Sequence, residues 1–501
     1  MIRSLLPAMK VLGALLTSLV FLQPALAAES RPNVLFLAID DLRNDLGALG
    51  VAHARTPQLD SFARTARVFS HHYVQVPTCG ASRYSLWSGR YPTLPAHVGN
   101  NAIRETHGTW AARSLPALFR QHGYHTLALG KLTHYPGGRT GKDWAEGAEE
   151  LPGAWERSWI PGGPWKTPLA IMHGYANGVA RQSGKSPPWE AHDGTDESYP
   201  DAWVAAEAIK ALKELSSQKQ PWFFGVGFFK PHLPFAAPKR WHDLHAMGVP
   251  DLKPETAAKP SWPSGWHGSG EFRGNYGHAG RDPETDPEYA RLLRRAYAAS
   301  VSYVDAQVGR VLEALREIGL EENTIVLVWS DHGFLLGEHA IWGKHCLYEQ
   351  ALRSPLMIRN PGLAQPGKTS DAIVETVDLF PTLADLCGLP SSAELDGRSL
   401  RPQLNDPAAP SAKPAHGFWS GGQRAVRTER WRLIVQSGRD GGAPRVELFD
   451  YQSDPDETRN HASERPEIVR EMMAYLERVP RPASADGQPA TRWSKQPADS
   501  P

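Results

Sequence analysis

Four stretches of the chain share one hydrophobic layout. Residues 33–39 form a near-continuous apolar run that stops at Asp40-Asp41, and residues 324–330 form a second that stops at Asp331-His332-Gly333. The run 124–129 leads into Gly130-Lys131, and 222–229 leads into Lys230-Pro231-His232. Apolar runs of this length suit strands buried on both faces of a parallel sheet. A fifth run, 355–358, predicts a strand with no polar cluster after it. Between the strands, helical periodicity covers 58–66, 112–122, 200–214 and a long span from 287 to 318. Alternating strand and helix predicts an α/β fold with a large, mainly parallel sheet flanked by helices. In such sheets ligands bind outside the carboxyl ends of the strands, where Asp, His and Lys recur here four times.

Two long stretches interrupt this pattern. Residues 136–200 hold Trp144, Trp155, Trp159, Trp165 and Trp189, and residues 248–286 hold Trp262 and Trp266. Loops of this length are functional or disordered, and tryptophan argues against disorder, so both are expected to wall a pocket at the strand ends. For any single tryptophan, plain core packing is the competing reading. Beyond about residue 410 the texture changes to short alternating strands (424–435, 445–451) and a closing helix (464–477). The expected organisation is a catalytic domain over 28–410, a small α+β subdomain over 411–479 with an antiparallel sheet, and a disordered tail over 480–501.

The first 27 residues have the proportions of a secretory signal. Arg3 and Lys10 precede the apolar run Val11–Leu22, and Ala25-Leu26-Ala27 forms a small-residue cleavage site. No other apolar run approaches the ~18 residues of a membrane span. The expected product is secreted or periplasmic, with no stable membrane span. The 54 basic and 54 acidic residues balance, which excludes a strongly basic nucleic-acid binder. Three cysteines are too few for a disulfide framework.

The chemistry gathers at the strand ends. Asp40, Asp41, Asp331 and His332 would form a hard-cation site, since adjacent carboxylates repel without a cation, and an oxygen-rich set favours Ca²⁺ or Mg²⁺. Taken alone, Asp40-Asp41 also reads as a helix N-cap. Pro77-Thr78-Cys79-Gly80-Ala81-Ser82-Arg83 opens a helical pattern. A thiol at a helix start is expected to have a depressed pKa, and backbone N–H groups there would hold an oxyanion. Cys346, Cys387 and His71-His72 read as structural.

Cys79-Gly80-Ala81-Ser82-Arg83, followed by Ser88-Gly89-Arg90, resembles the Cys-x-(Pro/Ala)-x-Arg signature of the type I sulfatases. The resemblance covers residues 32 to about 390. Within the family it lies toward the iduronate-2-sulfatase branch, on Asp40-Asp41-Leu42-Arg43, Gly130-Lys131 with His134, Lys230 to Phe235, Ser330 to Gly333 with Leu336 to His339, and Trp342-Gly343-Lys344. It implies an alkaline-phosphatase-like sandwich. It also implies oxidation of Cys79 to formylglycine by a formylglycine-generating enzyme, and one Ca²⁺ on Asp40, Asp41, residue 79, Asp331 and His332. Arg83, Lys131 and Lys344 would neutralise the transferring sulfate, His232 would be the general acid, and His134 would assist sulfate release. The implied substrate is a sulfated saccharide, with the 2-O-sulfate of a terminal uronate favoured. Alternatives are another sulfated glycan, choline sulfate, a phosphonate or phosphodiester, or a glycan-binding pseudoenzyme. The last is disfavoured because the six residues whose loss would mark one are all present.

Overall fold

The computed structural model describes residues 31–135, 150–161, 163–262, 266–391, 394–437 and 443–479. The expected signal segment, the tail from 480 and Trp144 lie outside them.

The apolar runs become neighbouring strands of one eight-stranded mixed sheet. In chain order its strands are β1 (Asn33–Asp40), β2 (Arg67–Tyr73), β3 (His125–Gly130), β4 (Arg157–Trp159), β5 (Trp222–Pro231), β6 (Thr324–Ser330), β7 (Leu356–Arg359) and β8 (Thr369–Glu375). Across the sheet they run β8-β2-β7-β6-β1-β5-β3-β4. The four strands that end in polar clusters stand side by side as β6-β1-β5-β3, all parallel, so their carboxyl ends share one edge. β7 pairs antiparallel to both β6 and β2. It therefore ends at the opposite edge, which is why the 355–358 run carries no polar cluster.

Alternate residues of β1 face two cores. Leu35, Leu37 and Ile39 pack toward the helices Pro200–Leu215 and Pro287–Glu317, and Val34, Phe36 and Ala38 pack toward Cys79–Ser88, Leu115–Gln121 and Leu379–Leu386. The long helix starts where its sequence allows: Asp286 Oδ1 accepts from Tyr289 N at 3.0 Å, and Pro287 fills the first turn without a wasted N–H. Its apolar stripe Leu293, Ala296, Tyr297, Val304, Val308, Val311 and Leu315 is buried.

A four-stranded antiparallel sheet follows: β9 (Ala415–Trp419), β10 (Gln423–Arg427), β11 (Trp431–Gln436) and β12 (Arg445–Asp450), with the helix Pro466–Glu477 against it. Its other face shares a core with Ile341, Cys346, Leu347 and Tyr348. Buried Arg432 fastens the join, donating to the Leu347 carbonyl at 2.9 Å and pairing with Glu349 and with Glu457 at 3.2 Å. Arg432→Leu would leave two buried carboxylates short of a partner. Its expected cost is about 3–5 kcal/mol, read from the urea midpoint, and an unchanged midpoint would show that the pin contributes nothing.

Candidate active site

β1 delivers both aspartates by breaking its own alternation. Consecutive strand residues point to opposite faces. The register with β5 slips between Ile39 and Asp40, and Asp41 adopts a left-handed backbone with φ 58°. Tyr297, on the long helix, fixes that turn by donating to the Asp41 carbonyl at 2.7 Å and accepting from Arg43 N at 2.9 Å. The chain continues into an irregular loop rather than a helix, so Asp40-Asp41 is not an N-cap. Such strain in a non-glycine residue clusters at functional sites.

β3 and β5 deliver cations through paired glycines. A Cβ on Gly227 would stand 2.2 Å from the Lys131 carbonyl, so the bare backbone there lets the chain turn Lys131 inward. From the other side comes the helix Cys79–Ser88, every residue of it buried, with Cys79 first and extended Thr78 before it. A Cβ on Gly80 would fall 2.0 Å from the Asn100 carbonyl, so this position admits only glycine.

These elements converge. Lys131 Nζ donates to Asp40 Oδ2 at 2.5 Å, and Lys344 Nζ reaches both Asp41 oxygens at 3.0 Å. Asp331 Oδ1 accepts from Asp41 N at 3.0 Å. The Cys79 Sγ lies 3.3 Å from His332 Nε2, 3.6 Å from Lys344 Nζ, 3.8 Å from Asp41 Oδ1 and 3.9 Å from Lys131 Nζ. His332 Nδ1 donates to the Gly333 carbonyl at 2.9 Å, which turns Nε2 toward the cluster. His232 Nδ1 likewise donates to the Leu233 carbonyl at 2.7 Å, leaving Nε2 toward the site. His134 is buried nearby with an Nδ1 that has no hydrogen-bond partner among the described residues. Burial, reinforced by Lys131, pushes its pKa well below the ordinary histidine value, so it stands neutral. Thus Asp40, Asp41, Cys79, Arg83, Lys131, His134, His232, Asp331, His332 and Lys344 all lie in one buried neighbourhood.

Two expectations change. Burial and then Asp40 push the Cys79 thiol up rather than down, and Lys131 and Lys344 do not compensate. The helix start is outweighed, and an unmodified thiol here is a poor nucleophile. Arg83 also takes a different position. Its Nε and Nη2 hold Asp331 Oδ2 at 3.0 and 2.9 Å, Nη2 holds Asp40 Oδ1 at 3.0 Å, and Nη1 donates to the Lys131 carbonyl. All its donor nitrogens are engaged, so it braces the carboxylates instead of facing a substrate.

The residues fit a metal ion. Ligand atoms of Asp41, Cys79, Asp331 and His332 lie within 4.8 Å of one another, as do those of Asp40, Asp41, Cys79 and His232. Three fully buried carboxylates paired with Lys131, Arg83 and Lys344 make a prepared oxygen-rich set. Burial works against the Asp40 and Asp331 carboxylates, yet both are held below the usual carboxylate range, Asp40 chiefly by Lys131 and Asp331 by His332 and Arg83.

The described insertion tryptophans do not wall this site. Trp155 and Trp165 sit in the cores, Trp159 stacks on Phe224, Trp189 packs against the core, and Trp262 and Trp266 pack beside the C-terminal sheet. The insertions reach the site through other residues. Glu271, on the short helix Gly270–Asn275, stands 3.5 Å from His232 Nε2 and 3.6 Å from Lys344 Nζ. Burial would raise its pKa, but Lys344 and His232 hold it well below the carboxylate range. The ring of His173 lies 5.2 Å from that of His232. Neither residue carries a motif. Each stands on or beside a short helix of an insertion, far in sequence from its partner, so only the folded contact reveals it. His72 is structural, bonded to Ser354 and Thr376, and Cys346 and Cys387 are buried in cores.

The family profile described as Sulfatase matches residues 32–389, and that of the N-sulphoglucosamine sulphohydrolase C-terminal region matches 337–481. An iduronate 2-sulfatase of Mus musculus is 31% identical over 73% of this chain and 70% of its own. A sulfatase of Formosa agariphila is 30% identical over 86% of this chain and 83% of its own. A phosphonate monoester hydrolase of Silicibacter pomeroyi superposes with a TM-score of 0.69 at 24% identity, over 92% of this chain and 96% of its own, and so shares the fold. The signature helix, the carboxylate cluster and these matches agree: the chain belongs to the sulfatase family as a type I sulfatase, an enzyme that hydrolyses sulfate esters.

Proposed function

We propose that this sulfatase is an exported, Ca²⁺- and formylglycine-dependent enzyme that removes the 2-O-sulfate from a uronate at the non-reducing end of a sulfated saccharide. The observation that carries it is Cys79 at the first position of a buried helix, flanked by two lysines and faced by three carboxylates. Oxidised to formylglycine, residue 79 supplies a hydrated aldehyde as nucleophile, and Ca²⁺ on Asp40, Asp41, Asp331, His332 and residue 79 supplies the charge that orients it and polarises sulfate.

The chain's own residues do the rest. Lys131 and Lys344 flank residue 79 and neutralise the sulfate oxygens as charge builds on them. Arg83 keeps Asp40 and Asp331 ionised and in place. His232, with Nδ1 fixed on the Leu233 carbonyl, presents Nε2 to protonate the leaving alkoxide. Neutral His134 can take up a proton as sulfate departs. Cys79 is 1% exposed, so a formylglycine-generating enzyme would need to reach it before the chain closes.

The uronate reading rests on the segment Lys230–Phe235, on relatives named iduronate 2-sulfatase, and on the insertions that bring Glu271 and His173 over His232. On this reading Glu271 and His173 close one side of the acid, an arrangement suited to a chain end rather than a chain middle. Initial rates should be highest on a 2-O-sulfated uronate disaccharide, against a 6-O-sulfated hexosamine and choline sulfate. Faster turnover of either competitor would reject the uronate reading and leave the sulfatase standing.

A further inference from the structure

Of the insertion cations that might meet a substrate, the folded chain distinguishes one. Arg157 is exposed, paired with Glu214 at 3.2 Å and laid 4.0 Å over Trp159, and Lys166 is exposed. Arg181 is half-buried, and among the described residues no carboxylate lies within ion-pair distance of it. Its guanidinium lies 5.4 Å from the ring centre of Tyr276. The Tyr276 hydroxyl is 3.2 Å from His173 Nδ1, and His173 is the neighbour of His232. Arg181 is thus linked to the acid through Tyr276 and His173.

Its loop is held rather than loose. Gly184 N donates to the Asn275 carbonyl at 3.1 Å, and Gly277 N donates to the Ser186 carbonyl at 2.9 Å. Those two bonds join the loop of Arg181 to the segment that carries Glu271 and Tyr276, so the two insertions form one wall. Within the loop, Lys185 N and Ser186 N both donate to the Gln182 carbonyl at 3.0 Å. A cation fixed in this way pays little ordering cost when an anion arrives.

We propose that Arg181 is the specificity-determining residue that binds the uronate carboxylate of the substrate, opposite the sulfate end. In a 2-O-sulfated uronate, C2 and C5 stand across the pyranose ring. The sulfate at C2 and the carboxylate at C5 are therefore held at two ends of one sugar, with the acid between them at the C2 oxygen. A guanidinium matches a carboxylate with two parallel N–H donors. Glu271 Oε2 stands 3.6 Å from Lys344 Nζ and has no hydrogen-bond partner among the described residues, so it can accept from a ring hydroxyl.

The inference rests on the uronate reading, and the test separates the two. Wild type, Arg181→Gln and Arg181→Lys are compared on a 2-O-sulfated uronate disaccharide, the same disaccharide with its carboxyl reduced to an alcohol, choline sulfate and 4-nitrophenyl sulfate. Arg181→Gln should lower kcat/KM on the uronate on the order of 10- to 100-fold, the worth of one charge-assisted contact. It should leave the carboxyl-reduced disaccharide and 4-nitrophenyl sulfate unchanged, and Arg181→Lys should keep part of the preference. Equal losses on all substrates would assign Arg181 a structural part and overturn the inference, as would an undiminished preference for the uronate in Arg181→Gln. Wild type that turns over the reduced disaccharide or choline sulfate as fast as the uronate would fail the uronate reading itself, and the inference with it.

Discussion

Cys79→Ala will abolish sulfate-ester hydrolysis, with kcat falling by at least about 10⁴-fold, the scale on which removing an enzyme's nucleophile acts. The side chain is small and the surrounding helix is packed on every face, so the variant should stay folded. Residual turnover would come from the lysines and the cation binding alone. In the active wild type, the tryptic peptide spanning 68–83 should carry the mass of an aldehyde in place of the thiol. Burial and Asp40 keep the unmodified thiol protonated, so a thiolate could not replace that aldehyde. An active preparation whose peptide retains the intact thiol would end the formylglycine reading.

Asp331→Ala should cost on the order of 10³-fold or more in turnover. Asp331 is held by Arg83 through one oxygen and by the Asp41 amide through the other, so its loss disturbs two further carboxylates. Removing one partner from buried Arg83 also threatens the fold by about 3–5 kcal/mol. Asp331→Asn, which keeps the volume, and a thermal melt of each variant distinguish lost catalysis from lost structure. For wild type, a chelator should remove activity and Ca²⁺ should restore it. Full activity of metal-free protein would refute the cation site.

The sheet was legible because its strands are buried on both faces, so apolar runs mark them directly, and the abrupt stop of each run marks the edge where chemistry collects. The long helix was legible for the same reason, through its stripe and its Asp286-Pro287 start. β2 and β8 were not, since 67–73 and 369–375 mix polar and apolar residues, as His71-His72 and Asp371 show. The positions of the carboxylates, His332 and the two lysines followed from the family signature and the strand ends. Their roles followed less well. The position of Arg83 depends on Asp40 and Asp331 arriving from two other strands, and the thiol pKa depends on burial that no local pattern reports. Tryptophan counts misled because aromatic area is spent in cores as readily as in sugar pockets. Glu271, His173 and Arg181 are selected by contacts between two insertions that the helix Pro200–Leu215 and β5 separate in sequence.

The Lys344–Asp41 contact spans 303 residues of chain, and Asp331 reaches back nearly as far to the Asp41 amide. Loop closure on that scale comes late, because its entropy is lost before any contact repays it. No N-terminal fragment emerging from the ribosome can hold the charge set, and β1 must wait for β6 to become a central strand. Until then its apolar run is an open edge at risk of self-association. Recovery of sulfatase activity on refolding should therefore trail the return of helical signal, reporting the closing event rather than the opening ones.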